Sequence, residues 1–352
     1  MKYRVFFILA LAILLVSIAP ISAQDETTCE DGFRLFDHEL LVNEATCIPE
    51  NPQRVASFDM AGTEFLLYTD GPIVGTFAYV ASEINVFTPG LGDELEDVEQ
   101  FSWPPNLELL TELQPDLIIA FYDAALDLSG VEEIAPLLIY DPTLNKGEWI
   151  ASTQFYADVF NQQETFDEML DTYNARVEEL QLALGDDRGE IEVSLMLPTT
   201  ETPLIWLEDS APGRVLEDVG LGRPEFQINP GTTLSESGAN WGYVNISMER
   251  LDLADGDEIF IFTWSSSDPD VVAERQLAME EFQSNALWQS LEGVQAGNVH
   301  VVGGHWVRAQ TYLTVNLILD DLFANLTDIE PTVASPSQAL QQAEATEEPS
   351  SD

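Results

Sequence analysis

Basic residues are scarce in this chain. Lys and Arg number 12 against 63 Asp and Glu in 352 residues, giving a formal charge of −51 with only 3 His. Nucleic acid is excluded as a partner, because phosphate backbones need a basic stripe that this composition does not supply. An anionic membrane surface would repel the chain as well. The acid excess reads as a device for solubility in salty or acidic surroundings. Calcium binding is the rival reading, but no D-x-[DN]-x-[DN]-G loop occurs.

Cysteine is nearly absent, with Cys29 and Cys47 alone. In an oxidising compartment the two can pair and close a small loop, worth about 3 kcal/mol. A metal site on two isolated cysteines is the weaker reading, since His38 is the one nearby histidine. Histidine elsewhere is limited to His300 and His305, five apart around Gly303-Gly304. A zinc or manganese site needs three or four converging ligands, so no metal ligand is assigned. Haem ligation by His305 or a tyrosine stays open.

Long apolar runs are missing except at the start. Lys2 and Arg4 precede Val5–Ala19, which is apolar but for Ser17, and Pro20 then leads into Ile21-Ser22-Ala23. A basic start, a short apolar stretch and a small-residue cleavage site read as an export signal over 1–23. Left uncleaved, it would act as an anchor. Thr27 and Thr28 precede Cys29, so the small-residue approach to a lipid-bearing cysteine is lacking. Catalytic signatures are lacking too: no G-x-S-x-G, no Gly-rich phosphate loop with Lys, no H-E-x-x-H. The chain is therefore not expected to be an enzyme, although nothing in the pattern tests an acid pair for glycoside cleavage.

What is present is an α/β order repeated about a long helix. Residues 24–50 form an extension that holds both cysteines. Over 51–160, compact apolar runs at Arg54–Phe58, Ile73–Gly75, Asp116–Ala120 and Leu137–Tyr140 suit buried parallel strands, and Asn106–Leu113 suits a helix stopped before Pro115. The stretch 161–185 contains apolar Phe166, Met169, Leu170, Tyr173, Val177, Leu180 and Leu184, spaced by threes and fours, with no Gly or Pro until Gly185. A second set fills 186–328, with strands at Glu192–Leu197, Leu204–Leu207, Glu258–Thr263 and Val299–Val302. Its helices are expected at Gly213–Val219, Pro269–Phe282 and Thr311–Leu326. The composition of 329–352 predicts a disordered acidic tail. The fold class predicted is α/β, two Rossmann-like lobes joined by a single long interlobe helix.

Several segments resemble one family. Asn51-Pro52-Gln53-Arg54-Val55, Pro105-Asn106-Leu107-Glu108 with the following LLTELQPDLII, and Asn245-Ile246-Ser247-Met248-Glu249-Arg250-Leu251 resemble the solute-binding proteins of ABC importers for iron-siderophores and cobalamin. Leu287-Trp288-Gln289-Ser290-Leu291, Ala296-Gly297-Asn298-Val299 and Trp306 match the closing region of that family, so the likeness runs from Asn51 to Leu326. It implies a ligand held between two lobes, with Glu108 and Glu249, one per lobe, docking onto arginines of an ABC transporter permease.

By the same resemblance the cleft would draw on Trp103, Tyr122, Trp241, Trp264, Trp306 and Arg308. These lie at strand ends or in the loops after them, where α/β folds bind ligands. Arg214 is a further candidate, and Trp288 is assigned to the core. Hydroxamate binders of the closest type carry an Arg where this chain has Ser102. Cations near the cleft are few, and an anionic catecholate would lack partners, so a neutral or weakly charged ferric siderophore is favoured. Cobalamin or haem binding on the same fold, a surface sensing module and a hydrolase are the alternatives. The expected protein is an exported monomer, periplasmic or cell-surface associated, with no intrinsic cofactor.

Overall fold

The computed structural model describes residues 28–123, 127–145, 148–199, 202–228, 230, 242–263, 266 and 268–340. The expected export signal at 1–23 lies outside them. The extension forms an antiparallel hairpin, β1 (Phe33–Phe36) with β2 (Thr46–Pro49). The Cys29–Cys47 disulfide staples it, with the Cα atoms 5.6 Å apart. Beyond that staple, Val42 N–H donates to the Ile139 carbonyl at 2.9 Å. Asn43 donates to the Leu137 carbonyl at 2.8 Å and accepts from Ile139 N–H at 2.7 Å. These bonds satisfy backbone groups on a strand that would otherwise be an open sheet edge.

The first lobe runs β3 (Val55–Phe58), α1 (Met60–Tyr68), β4 (Ile73–Phe77), α2 (Ala78–Phe87), β5 (Glu99–Phe101), α3 (Leu107–Leu113), β6 (Leu117–Phe121), β7 (Leu137–Tyr140) and α4 (Trp149–Phe160). Its strands are all parallel in the order β5-β4-β3-β6-β7. Helices cover the sheet, so β3 is buried along its whole length, as the continuous apolar run requires. Asn106 caps α3 by accepting from the N–H groups of Glu108 and Leu109 at 2.9 and 3.1 Å. Gln114 in the left-handed region then ends the helix one residue before Pro115.

One continuous helix, α5 (Gln163–Leu184), leads to the second lobe. The rise per residue makes it about 33 Å long. Beyond it come β8 (Val193–Leu197), β9 (Leu204–Trp206), α6 (Ala211–Val219), β10 (Tyr243–Asn245), β11 (Glu258–Phe262), α7 (Pro269–Gln283), β12 (Val299–Val302) and α8 (Tyr312–Leu326). The sheet order is β10-β9-β8-β11-β12. Strands β8, β11 and β12 are parallel, whereas β9 runs antiparallel to both of its neighbours. Only residues 198–203 separate β8 from β9. That is too short for the crossover a parallel pair needs, so the chain turns straight back.

The spine helix is gripped from both sides. Tyr173 meets Trp149 of the first lobe edge-on at 4.8 Å, and its hydroxyl donates to Asp218 of the second at 2.8 Å. Arg176, on the same face, has no exposure at all. Its guanidinium donates to the Asn316 side chain at 2.7 Å, to the Asn316 carbonyl at 2.9 Å, and to Asp320 of α8. Of the expected disordered tail, residues 331–340 dock onto the body, and 341–352 lie outside the described residues. Glu179 of the spine accepts from the N–H groups of Thr332 and Val333 at 2.6 and 3.0 Å. Ser335 donates to Asp320 at 2.7 Å, and both Ser335 and Ser337 are buried. A polar composition was misleading because these serines find fixed acceptors.

A second tie crosses the lobes directly. Glu64 of α1 is buried and accepts from the Thr311 hydroxyl at 2.6 Å and from Leu313 N–H at 3.0 Å, at the start of α8. Burial pushes its pKa up to about 7, against the opposing effect of those two donors. A carboxyl whose pKa is raised on folding contributes stability below its unfolded value, and that contribution is lost as pH rises toward 7. Glu64→Gln is expected to gain on the wild type by on the order of 2 kcal/mol between about pH 5 and pH 8. Thermal unfolding at both pH values measures the difference, and a constant offset would contradict the assignment.

Candidate functional site

The lobes enclose a cavity of about 550 Å³. From the first lobe it is lined just past the C-terminal ends of the parallel strands: Asp59 and Met60 after β3, Tyr79 after β4, Trp103 after β5, Phe121 and Asp123 at β6, and Pro142 after β7. In a doubly wound sheet these ends open onto the crevice where the strand order reverses. The second lobe supplies Trp206 from the end of β9, Tyr243 from the start of β10, Ala211 and Pro212 at the head of α6, and Val307, Arg308 and Gln310 after β12.

Both walls are aromatic. Trp103 lies 5.1 Å from Phe77 and 5.6 Å from Phe121, and Tyr79 stacks on Phe77 at 5.7 Å. Phe77 is in turn stacked at 4.6 Å on buried Phe58, so the exposed rings rest on a packed layer. Opposite, Trp206 and Tyr243 are paired across the β9–β10 ladder with centroids 5.0 Å apart. Such rings offer a large apolar surface at small entropic cost, which suits a bulky and partly apolar guest.

Polar groups are few and mostly engaged. Asp59 caps α1 through Gly62 N–H at 2.9 Å and accepts from Tyr156 at 2.5 Å. Burial raises its pKa, and these hydrogen bonds offset only part of the effect. Arg308 pairs with Glu83 of α2 at 3.1 Å, an ion pair that joins the lobes across the cavity wall. The Arg308 side chain is only 31% exposed and that of Glu83 16%, so this pair is less screened than a surface one.

Of the residues expected at the cleft, Trp103 and Arg308 line it. Trp241 and Trp264 lie outside the described residues. Tyr122 does not line the cavity, because alternation along β6 sends Phe121 inward and leaves Tyr122 44% exposed. Trp306 is a correction. It is fully buried, stacked at 5.0 Å on Phe260, with its indole N–H donating to Asp321 at 2.7 Å. Arg214 does not line the cavity, and Trp288 is buried against Phe282 at 5.1 Å. His300 and His305 hold separate acids, Glu258 at 2.6 Å and Asp321 at 2.8 Å.

Tyr79, Trp206 and Tyr243 were missed: Trp103 was singled out by its place just before Pro105-Asn106-Leu107-Glu108, a signal the other three rings lack. Tyr79 escaped because β4 runs two residues beyond the expected Gly75 and carries the strand end to Phe77. Glu108 and Glu249 are both exposed, in the first turn of α3 and of a 3-10 helix over Met248–Ala254. The N–H of Glu249 and the Ser247 hydroxyl donate to the Glu249 carboxylate and lower its pKa.

Comparisons with known proteins agree with this geometry. The family model for periplasmic binding proteins matches residues 100–304. The probable siderophore-binding lipoprotein YfiY of Bacillus subtilis is 26% identical over 90% of this chain and 94% of its own length. The iron(3+)-hydroxamate-binding protein FhuD of the same organism is 23% identical over 72% of this chain and 74% of its own. Among solved structures, Staphylococcus aureus SirA complexed with staphyloferrin B superimposes with a TM-score of 0.65 at 20% identity, covering 83% of this chain and 98% of that one. That likeness establishes the two-lobed fold.

Trp306→Phe removes the donor to Asp321 and is expected to lower stability by about 1–3 kcal/mol in denaturant unfolding. Occupancy of the cavity should not change. Lost binding at unaltered stability would return Trp306 to the cleft.

Proposed function

We propose a function from one premise: this chain belongs to the periplasmic binding protein family. It captures a ferric siderophore outside the cytoplasmic membrane, in the cleft between its lobes, and delivers it to the permease of an ABC importer. The observation that carries this reading is the preformed cavity walled by aromatic rings from both lobes. The names of the relatives point the same way, toward siderophore and ferric hydroxamate ligands. The transported chelate is cargo and not a resident cofactor, and binding without bond cleavage is all the cleft is asked to do.

The domain plan that goes with this reading is an exported chain, a stapled extension over 24–50, lobes at 51–160 and 186–328, and a bridge at 161–185. Ligand contact is assigned to Trp103 and Arg308, together with Tyr79, Trp206 and Tyr243. Rings on opposite walls can hold a chelate between them, favouring a slightly closed form. The continuous spine restrains that closure, because bending it would break backbone hydrogen bonds.

Docking is assigned to Glu108 and Glu249. Two exposed carboxylates, one on each lobe, give a partner with complementary charge both a steering field and a register. Ligand-driven movement of the lobes would alter their separation, so a permease could distinguish loaded from empty protein.

Tryptophan-fluorescence titration against ferric hydroxamates, citrate complexes, catecholates, haem and cobalamin tests the ligand class. A ferric siderophore is expected to bind, and selective binding of haem or cobalamin would replace the reading. Trp103→Ala is expected to weaken that binding by about tenfold, and an unchanged dissociation constant would remove it from the site. The double variant Glu108→Ala, Glu249→Ala should keep its ligand affinity while uptake falls by about tenfold or more. Uptake at the wild-type rate would end the docking assignment.

A further inference from the structure

Glu64 does not line the cavity, yet its bonds lead to both walls. On its own helix, Met60 lies four residues back on the same face and does line the cavity. From the other lobe, Glu64 receives the Thr311 hydroxyl at 2.6 Å and Leu313 N–H at 3.0 Å. Thr311 caps α8 and shares a 2.7 Å hydrogen bond with the Thr314 hydroxyl. Thr314 in turn donates to the Arg308 carbonyl at 2.9 Å, and that carbonyl also accepts from Gln310 N–H at 2.6 Å. This chain of bonds ends on the stretch of cavity wall that Val307, Arg308 and Gln310 form.

The carboxyl itself is only 3% exposed. Tyr68 of α1, Thr153 of α4, Met169 of the spine and Tyr312 of α8 share a small void with it. Tyr68 and Tyr312 stay neutral, because burial raises the pKa of both. On the spine, Glu168 acts on Tyr68 and Arg176 on Tyr312. Neither enters the balance at Glu64, where burial is opposed by the two hydrogen bonds alone. A protonated Glu64 can donate to Thr311, whose hydroxyl then turns to Thr314, so each polar group keeps a partner. An ionised Glu64 has two donors for a buried charge and gains from water, which reaches it only if α1 and α8 part.

We infer that Glu64 is a positioning residue for ligand binding: its bonds to the head of α8 set the wall at 307–310, and ionisation of this carboxyl, outside the cavity, loosens the grip on the ligand. The inference rests on the siderophore reading above and adds a proton to it. A guest touching both walls needs α1 and α8 held together, so it favours the protonated form. By linkage the protonated form favours the guest to the same degree. Burial raises the Glu64 pKa to about 7, so affinity is highest below that pH and falls above it.

The test titrates the full chain with a neutral ferric trihydroxamate, followed by tryptophan fluorescence, at about pH 5.5 and about pH 8.5, either side of the Glu64 transition. Wild-type affinity is expected to fall about tenfold between the two, the equivalent of one pKa unit between free and bound protein. Glu64→Gln keeps an oxygen for Leu313 and a donor for Thr311, and should remove most of that fall. Whatever Asp59 or the ligand contributes persists in the variant, so the difference between the two profiles belongs to Glu64. Parallel profiles reduce Glu64 to a structural tie and overturn the inference while siderophore capture stands. A wild-type affinity that rises with pH relative to the variant does the same. Binding by neither protein at either pH removes the siderophore reading, and the inference falls with it.

Discussion

The guanidinium of Arg176 has no contact with solvent, and its bonds to Asn316 and Asp320 hold the spine helix against the last helix of the second lobe. Breaking such a buried pair by removing one partner costs about 3–5 kcal/mol, so the two helices have one register and not several. Tyr173, one turn earlier, touches the first lobe with its ring and the second with its hydroxyl. The spacing of the lobes follows from these two residues together with the continuity of the helix. The docked segment 331–340 adds to the same grip, since Ser335 bonds to Asp320 and Glu179 holds the backbone of Thr332 and Val333.

With the spacing set, the cavity is a consequence of sheet topology. Parallel strands deliver their C-terminal ends to one rim, and each loop that follows places a side chain over the crevice. The first lobe does this five times, from Asp59 to Pro142. The second lobe reaches the same crevice by a different route, because its antiparallel β9 and β10 present Trp206 and Tyr243 side by side. Behind Trp206 stand Phe262 and then Trp306, a row of packed rings that supports the wall without reaching the guest.

Charge is distributed so that scarcity of cations becomes structure. With few Lys and Arg in the chain, those described are largely engaged in ties between segments: Arg34 joins the extension to α4, Arg176 the spine to α8, and Arg308 one lobe to the other. Acid outnumbers base throughout the chain, and along the described cleft wall Asp59, Glu83 and Asp123 stand with Arg308. An exterior with such an excess of acid repels anions.

The sequence by itself determined the succession of two α/β sets about a long helix and offered a cysteine pair, though not the hairpin which that pair staples. Each is a local signal: apolar runs for strands, a spacing of three and four from Phe166 to Leu184, a capping Asn106 before α3, two cysteines and no others. It also named Trp103 and Arg308, which line the cavity between the lobes. It did not separate Trp103 from Trp306, because both follow strands and only packing tells an exposed ring from one stacked on Phe260. The pairing of Arg308 with Glu83, 225 residues away, and of Glu64 with Thr311 was equally invisible. Periodicity records which face of an element is buried, whereas the partner that face meets is decided only when distant segments pack together.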